Sequence, residues 1–230
     1  MKVTKIASFI SLSFLLLTAS CGNNTVNDNF NDNSTNPSLW TAYYSSSGPT
    51  IAETNQRLEC AFPANFSWDS FMAMYASTCQ LSGDFDIQVD YSLIDWPAQN
   101  GVRFGLGVEP APVRGGIETR WVERVSFAIN DFSGWPREVY LTHFSDSVQG
   151  ITATSNLSGK LRLVRTSNTL SGYYFSNGSW ILVHSGPVTD ADVHILIAAW
   201  SDESIFADQE VKIAFDNFVI NQGHWIIKSE

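Results

Sequence analysis

Asp84, Asp86 and Asp90 stand on one phase of the stretch Gly83 to Trp96, GDFDIQVDYSLIDW, with Gln88 between them. Alternate positions of a strand lie roughly 7 Å apart on one face, so neighbouring carboxyls in such a row can share acid–base work. A retaining glycosidic pair stands about 5–5.5 Å apart and an inverting pair about 6.5–9.5 Å apart. Asp84 and Asp86 reach the inverting range. The row is therefore either a catalytic floor or the solvated side of a framework strand. Aromatic side chains offer a second chemistry. Trp68 (NFSWDS), Trp96 (IDWPAQ) and Trp135 (SGWPRE) sit at turns among polar neighbours, and an indole face packs against the C–H face of a sugar ring. Arg103, Arg120 and Arg124 can donate to hydroxyls or carboxylates, or simply pair with acids. Trp200 sits beside an apolar strand and is expected in the core. His143, His184, His194 and His224 have no metal-ligand spacing, and no nucleophile elbow, zinc helix or phosphate loop occurs.

These residues need elements to position them. Opposite the acidic row, Phe85, Ile87, Val89, Tyr91 and Leu93 share the other phase, which predicts a long strand with one buried face. Shorter strands are predicted over 51–54 and 57–62. A longer one covers 71–81, separated from the acidic strand by a turn at Ser82-Gly83. Pro97 to Gly101 is a turn. Val102, Phe104, Leu106 and Val108 then alternate with Arg103, Gly105 and Gly107. In the strand after the Pro/Gly loop 109–116, Trp121, Glu123, Val125, Phe127 and Ile129 share a face. Glu123 interrupts that face, so the core side stays open. Further strands follow over 139–144, 151–155, 159–164 and 170–175. Ser176-Asn177-Gly178-Ser179 makes a hairpin into 180–184. Apolar strands near 193–200 and from 211 to about 220 close the pattern. No convincing helix and no repeat occur. Some thirteen or fourteen strands predict an all-β chain that stacks two sheets or closes on itself.

Residues 1–20 carry Lys2, Lys5 and an apolar run of about a dozen residues, too short to span a membrane and suited to a signal peptide. The run ends in Leu17-Thr18-Ala19-Ser20-Cys21, which resembles a bacterial lipobox with acylation at Cys21. Thr18 departs from its usual leucine. The expectation is a cell-envelope lipoprotein held to the membrane by its N-terminal lipid, with residues 21–27 as tether and Gly22 favouring an outer membrane if the source has one. Removing residues 1–20 removes two lysines and no acid, leaving 11 basic and 23 acidic residues and a net charge of −12. That charge argues against nucleic acid and against a polybasic grip on anionic lipid. Cys60 and Cys79 both fall on core-facing phases. A Cys60–Cys79 disulfide is expected, two buried thiols being the alternative.

Four pieces together resemble the concanavalin A-like lectin/glucanase superfamily, nearest its LamG-like and DUF1349-like bacterial members. They are Asp28-Asn29-Phe30-Asn31-Asp32 with Trp40, then Leu81 to Ile87, then Gly159 to Thr166 with Ser171-Gly172-Tyr173-Tyr174 and Gly178-Ser179-Trp180, and lastly Phe215 to Ile220. The resemblance implies an antiparallel two-sheet jelly roll over residues 28–221, with a tail at 222–230. It also implies paired termini bringing Phe30 near Phe218, with Trp40 and Trp180 in the core. A structural Ca²⁺ near the termini would use Asp28, Asp32 and Asp216. The superfamily's glucanases carry Glu-x-Asp-x-x-Glu on one strand, and that pattern is absent here. The resulting expectation is a lipid-anchored domain that binds carbohydrate or another envelope ligand without catalysis. The alternatives are a glycoside hydrolase or lyase with an atypical carboxylate site, and an adaptor that recognises protein.

Overall fold

A computed structural model describes residues 27–44, 48–65, 70–110, 119–128, 134–144, 147–202 and 206–226. Within them the chain is all-β, with thirteen antiparallel strands and no helix. They are β1 (Trp40–Tyr44), β2 (Thr50–Thr54), β3 (Arg57–Phe62), β4 (Ser70–Asp95), β5 (Arg103–Pro110), β6 (Arg120–Ser126), β7 (Glu138–Phe144), β8 (Ser147–Ala153), β9 (Ser158–Thr166), β10 (Thr169–Ser176), β11 (Ser179–Pro187), β12 (Val193–Asp202) and β13 (Val211–Ile226).

One strand makes two layers out of one hydrogen-bonded network. The first half of β4 pairs with β1 and β12, giving sheet A in the order β1-β4-β12-β5-β6-β7-β8. Its second half pairs with β9 and β13, giving sheet B in the order β11-β10-β9-β4-β13-β3-β2. The change of partners occurs at Gln80-Leu81, which pair with His194 and Val193 on one side and with Ile226 and Trp225 on the other. The turn expected at Ser82-Gly83 is therefore a bend inside a continuous strand. Gly83 has a φ of 66°, which costs glycine little. The buried Arg165 donates to its carbonyl oxygen and to that of Ala191, and lies over the Phe85 ring at 4.8 Å. Loss of solvation lowers the pKa of this guanidinium.

The main core lies between the layers. Phe85, Ile87, Val89 and Tyr91 fill it from sheet B, and Phe104, Leu106, Val122 and Ile197 fill it from sheet A. Tyr140 of β7 stacks on Tyr174 of β10 at 4.2 Å across the gap. The termini pair as expected. Asp28 and Phe218 exchange backbone hydrogen bonds of 2.9 and 2.8 Å, and Phe30 and Phe218 both pack on Trp40. β13 continues to Ile226, so residues 222–226 are sheet rather than tail.

The expected Cys60–Cys79 bridge is not formed. Cys79 lies in the half of β4 that pairs with β1 and β12 in sheet A, whereas Cys60 lies in β3 of sheet B, opposite Ile213. Cys60 is a free thiol whose complete burial raises its pKa. Cys79 takes part in a disulfide. Cys21 lies outside the described residues.

Candidate functional site

The acidic row lies on the outer face of sheet B, where cross-strand partners neutralise it. Asp86 receives two hydrogen bonds from Arg162, at 2.7 and 2.5 Å, and one from Asn221. Asp90 takes Lys160 on both oxygens at 2.7 Å, and Asp84 accepts the backbone N–H of Ser167. The hydrogen bond from Arg162 to Asp86 raises the arginine's pKa. Carboxylates held this way are framework. Trp180, expected in the core, is on this face beneath Arg162, 5.2 Å from the guanidinium carbon.

The outer face of sheet A is different. A sandwich face turned away from the core is ordinarily polar, yet here Met74, Ala76, Trp121, Leu196 and Ala198 form one buried apolar cluster, and Val125, Phe127, Val139 and Leu141 form another. Register explains the composition. Trp200, Arg103 and Val125 share one cross-strand row, Ala198, Gly105 and Glu123 the next, and Leu196, Gly107 and Trp121 the third. The two glycines leave gaps that their neighbours fill. A Cβ on Gly107 would lie 2.6 Å from Cδ2 and Cζ3 of Trp121, so the indole rests directly on the backbone. The glycines thus seat Trp121 and Glu123 against the sheet.

Glu123 is the chemical centre of this face. Its carboxylate is fully buried, and Oε2 accepts from Nε and Nη2 of Arg103 at 2.8 and 2.5 Å. Among the described residues Oε1 has no hydrogen-bond partner. Nδ1 of His143 lies 3.8 Å from Oε1, beyond hydrogen-bond reach, on a ring that is 36% exposed. The Arg103 guanidinium also sits 5.7 Å from the centroid of Trp200, which is tilted against Trp121 at 4.9 Å. The arrangement therefore offers a guanidinium, held from beneath by a buried carboxylate, beside a partly exposed indole, with an imidazole at the rim.

The expected ligand residues divide between the two sides of sheet A. Arg103 and Trp135 belong to the outer face, where Trp135, 39% exposed, tilts against Phe127 at 5.4 Å. Trp96 and Arg124 belong to the interior. Trp96 donates to Glu138 at 3.1 Å and packs edge-on against Phe104, and Arg124 pairs with Glu138 at 2.6 Å between the Trp96 and Tyr140 rings. Both lie under the turn at the end of the sandwich, where ring and guanidinium pack on each other and share Glu138. Trp68 lies outside the described residues. Trp121, Glu123, His143 and Trp200 were not anticipated as a group. Alternate glycines facing a Trp-x-Glu pair were the available signal.

The three acids expected to hold Ca²⁺ are not together. Asp28 accepts from the Phe30 N–H and from Trp40 Nε1, both at 2.9 Å, whereas Asp216 faces outward across from Asp90. Glu53, not Asp216, joins Asp28 and Asp32. Burial, then repulsion from Asp28 and contact with Asp32, raise its pKa to about 7. Among the described residues no group of three or more His, Cys, Asp or Glu is arranged to hold a metal ion.

No protein-family profile and no curated protein matches the chain in sequence. Solved structures match its fold. A Bacillus licheniformis β-glucanase is 13% identical, with a TM-score of 0.58 over 88% of this chain and 100% of its own. LamAcat from Zobellia galactanivorans is 13% identical, with a TM-score of 0.60 over 87% and 98%. A Bauhinia forficata lectin in complex with GalNAc is 10% identical, with a TM-score of 0.59 over 86% and 99%. The fold is therefore an antiparallel jelly roll like those of this β-glucanase, LamAcat and this lectin.

Proposed function

We propose that the chain is a non-catalytic carbohydrate-binding jelly roll, and that the outer face of sheet A around Trp200, Arg103 and Glu123 takes the sugar. The observation that carries this reading is the partly exposed Arg103 guanidinium, fixed by the buried Glu123 and set 5.7 Å from the Trp200 ring in the Trp121–Trp200 pair. A pyranose supplies what the exposed part of that site can take, hydroxyl acceptors for the Arg103 guanidinium and a C–H face for the Trp200 indole. Hydrolysis is less well supported. Glu109, a carboxylate of this face, is four residues along β5 from Gly105, the cross-strand partner of Glu123. At strand rise that is about 14 Å, beyond the roughly 9.5 Å limit of an inverting pair.

A glycan array tests the reading. Trp200→Ala is expected to weaken the recognised sugar about tenfold or more, as loss of a stacking anchor does. No binding to any glycan, or binding indifferent to Trp200→Ala, sinks it. A bound protein in place of a glycan would favour an adaptor role.

The anchoring half of the proposal is a LamG-like lipoprotein in the cell envelope, acylated at Cys21. It rests on residues 2–21 and makes a separate demand. An acylated Cys21 holds its sulfur in a thioether and cannot also bridge. With Cys60 free, Cys21 is the only other cysteine of the chain, so in a lipidated protein Cys79 would be reduced or bonded to another molecule. The intact mass of the mature protein, before and after reduction, checks this. An acyl adduct on Cys21 is expected, and an unacylated Cys21 recovered in an intrachain disulfide overturns the anchor.

A further inference from the structure

We infer that the outer face of sheet B carries a second, independent site for one neutral sugar residue, in a hollow of about 380 Å³ where β3, β4, β9, β10 and β13 meet. The hollow exists because β13 bulges. Its register with β4 slips between Asp216 and Val219, and Asn217 at the slip has a φ of 48°. The residues around the hollow that matter are Arg57, Asp90, Ser158, Lys160, Phe175 and Asp216.

Their chemistry selects the ligand. Two cations and two carboxylates sum to no net charge, so neither an anion nor a cation is favoured. Each charged group is already oriented. Lys160 bridges both oxygens of Asp90, Arg57 is held by Glu59 at 2.7 Å, and Asp216 accepts the Asn217 N–H at 2.7 Å. These groups present fixed donors and acceptors side by side, which suits a ligand whose hydroxyls do both. The Phe175 ring supplies an apolar wall, and it is braced at 5.2 Å by the edge of Trp180, which Arg162 covers in turn. The volume falls within the roughly 300–1,000 Å³ usual for small-molecule sites. An aromatic wall facing alternating donors and acceptors in a neutral hollow fits one pyranose.

This site lies on the opposite surface of the sandwich from Trp200, so either can exist without the other. The test titrates the folded protein with glucose, galactose, mannose, xylose and their short oligomers while backbone amide NMR signals are followed. Saturable shifts at Ser92, Ser158 and Asn217 are expected with at least one sugar. Phe175→Ala should weaken that binding about tenfold. Ser158→Trp, a change at an exposed position that fills the hollow, should abolish it, and Trp200→Ala should leave it intact. If none of these sugars shifts those amides in the wild-type protein, or if the shifts persist in Ser158→Trp, the inference is wrong. Shifts at these amides without any response near Trp200 would sink the sheet A site alone.

Discussion

Single residues on this molecule carry contrasting loads. Gly107 is irreplaceable because an indole rests on its backbone. Gly107→Ala should cost about 1–3 kcal/mol by overpacking and should also misplace Trp121. Chemical denaturation reads the first effect and sugar binding the second. Glu53 makes stability depend on pH. Its pKa is about 7 in the folded chain against 4.5 for the ordinary side chain, so the folded state keeps a proton that the unfolded chain releases. Its contribution is complete below about pH 4.5 and is lost as pH rises through about 7. The melting temperature should therefore fall between about pH 5 and about pH 8, and Glu53→Gln should flatten that fall. Calcium should not raise it, because Asp28 and Asp32 already accept from Phe30, Trp40 and Ser34. A rise of several degrees that chelator reverses would restore a calcium site built on Glu53 in place of Asp216. Cys60 should stay unmodified by alkylating reagents until the chain unfolds, since it is buried and its thiolate is disfavoured.

At the scale of the element, β4 was legible in its chemistry and misread in its connectivity. The alternation of Phe85, Ile87, Val89 and Tyr91 against Asp84, Asp86 and Asp90 placed core and solvent faces correctly, because a strand's period of two makes burial readable from one segment. Glycine at 83 read as a turn. Whether a chain turns or merely bends there depends on partners more than a hundred residues away, Trp225 and Val193 at Leu81. The same reason hid the site. Nothing within Trp121 to Phe127 says that both of its faces are covered, and Glu123 gains meaning only beside Gly105 and Arg103. Trp200 seemed to belong to the core because its neighbours are apolar, yet it shares its phase with Leu196 and Ala198 on the outer face. Asp86→Asn tests the framework reading of the acidic row. It should lower stability by about 1 kcal/mol or less, as a partly exposed ion pair does, and leave sugar binding unchanged. A loss of binding or of any hydrolytic activity would return Asp86 to the functional site.

At the scale of the molecule, the fold class was the most legible feature, because many short alternating strands without helices admit few architectures. The ligand was the least legible, since the same jelly roll serves glucanases and lectins. With two candidate surfaces on opposite faces, the domain should bind a multivalent glycan more tightly than any short oligomer. Cutting the glycan to single repeats should abolish that gain. The long β13 also dictates an order of events during synthesis. It lies between β3 and β4, two strands made early, and joins them into one sheet. Until residues 211–226 have been made, sheet B stays split and the core beneath it stays open. The nascent chain therefore cannot complete its fold from the N-terminus onward, and closure waits on contacts between its two ends. A chain that closes only on its last strand stays open to chaperones and proteases for as long as it is being made.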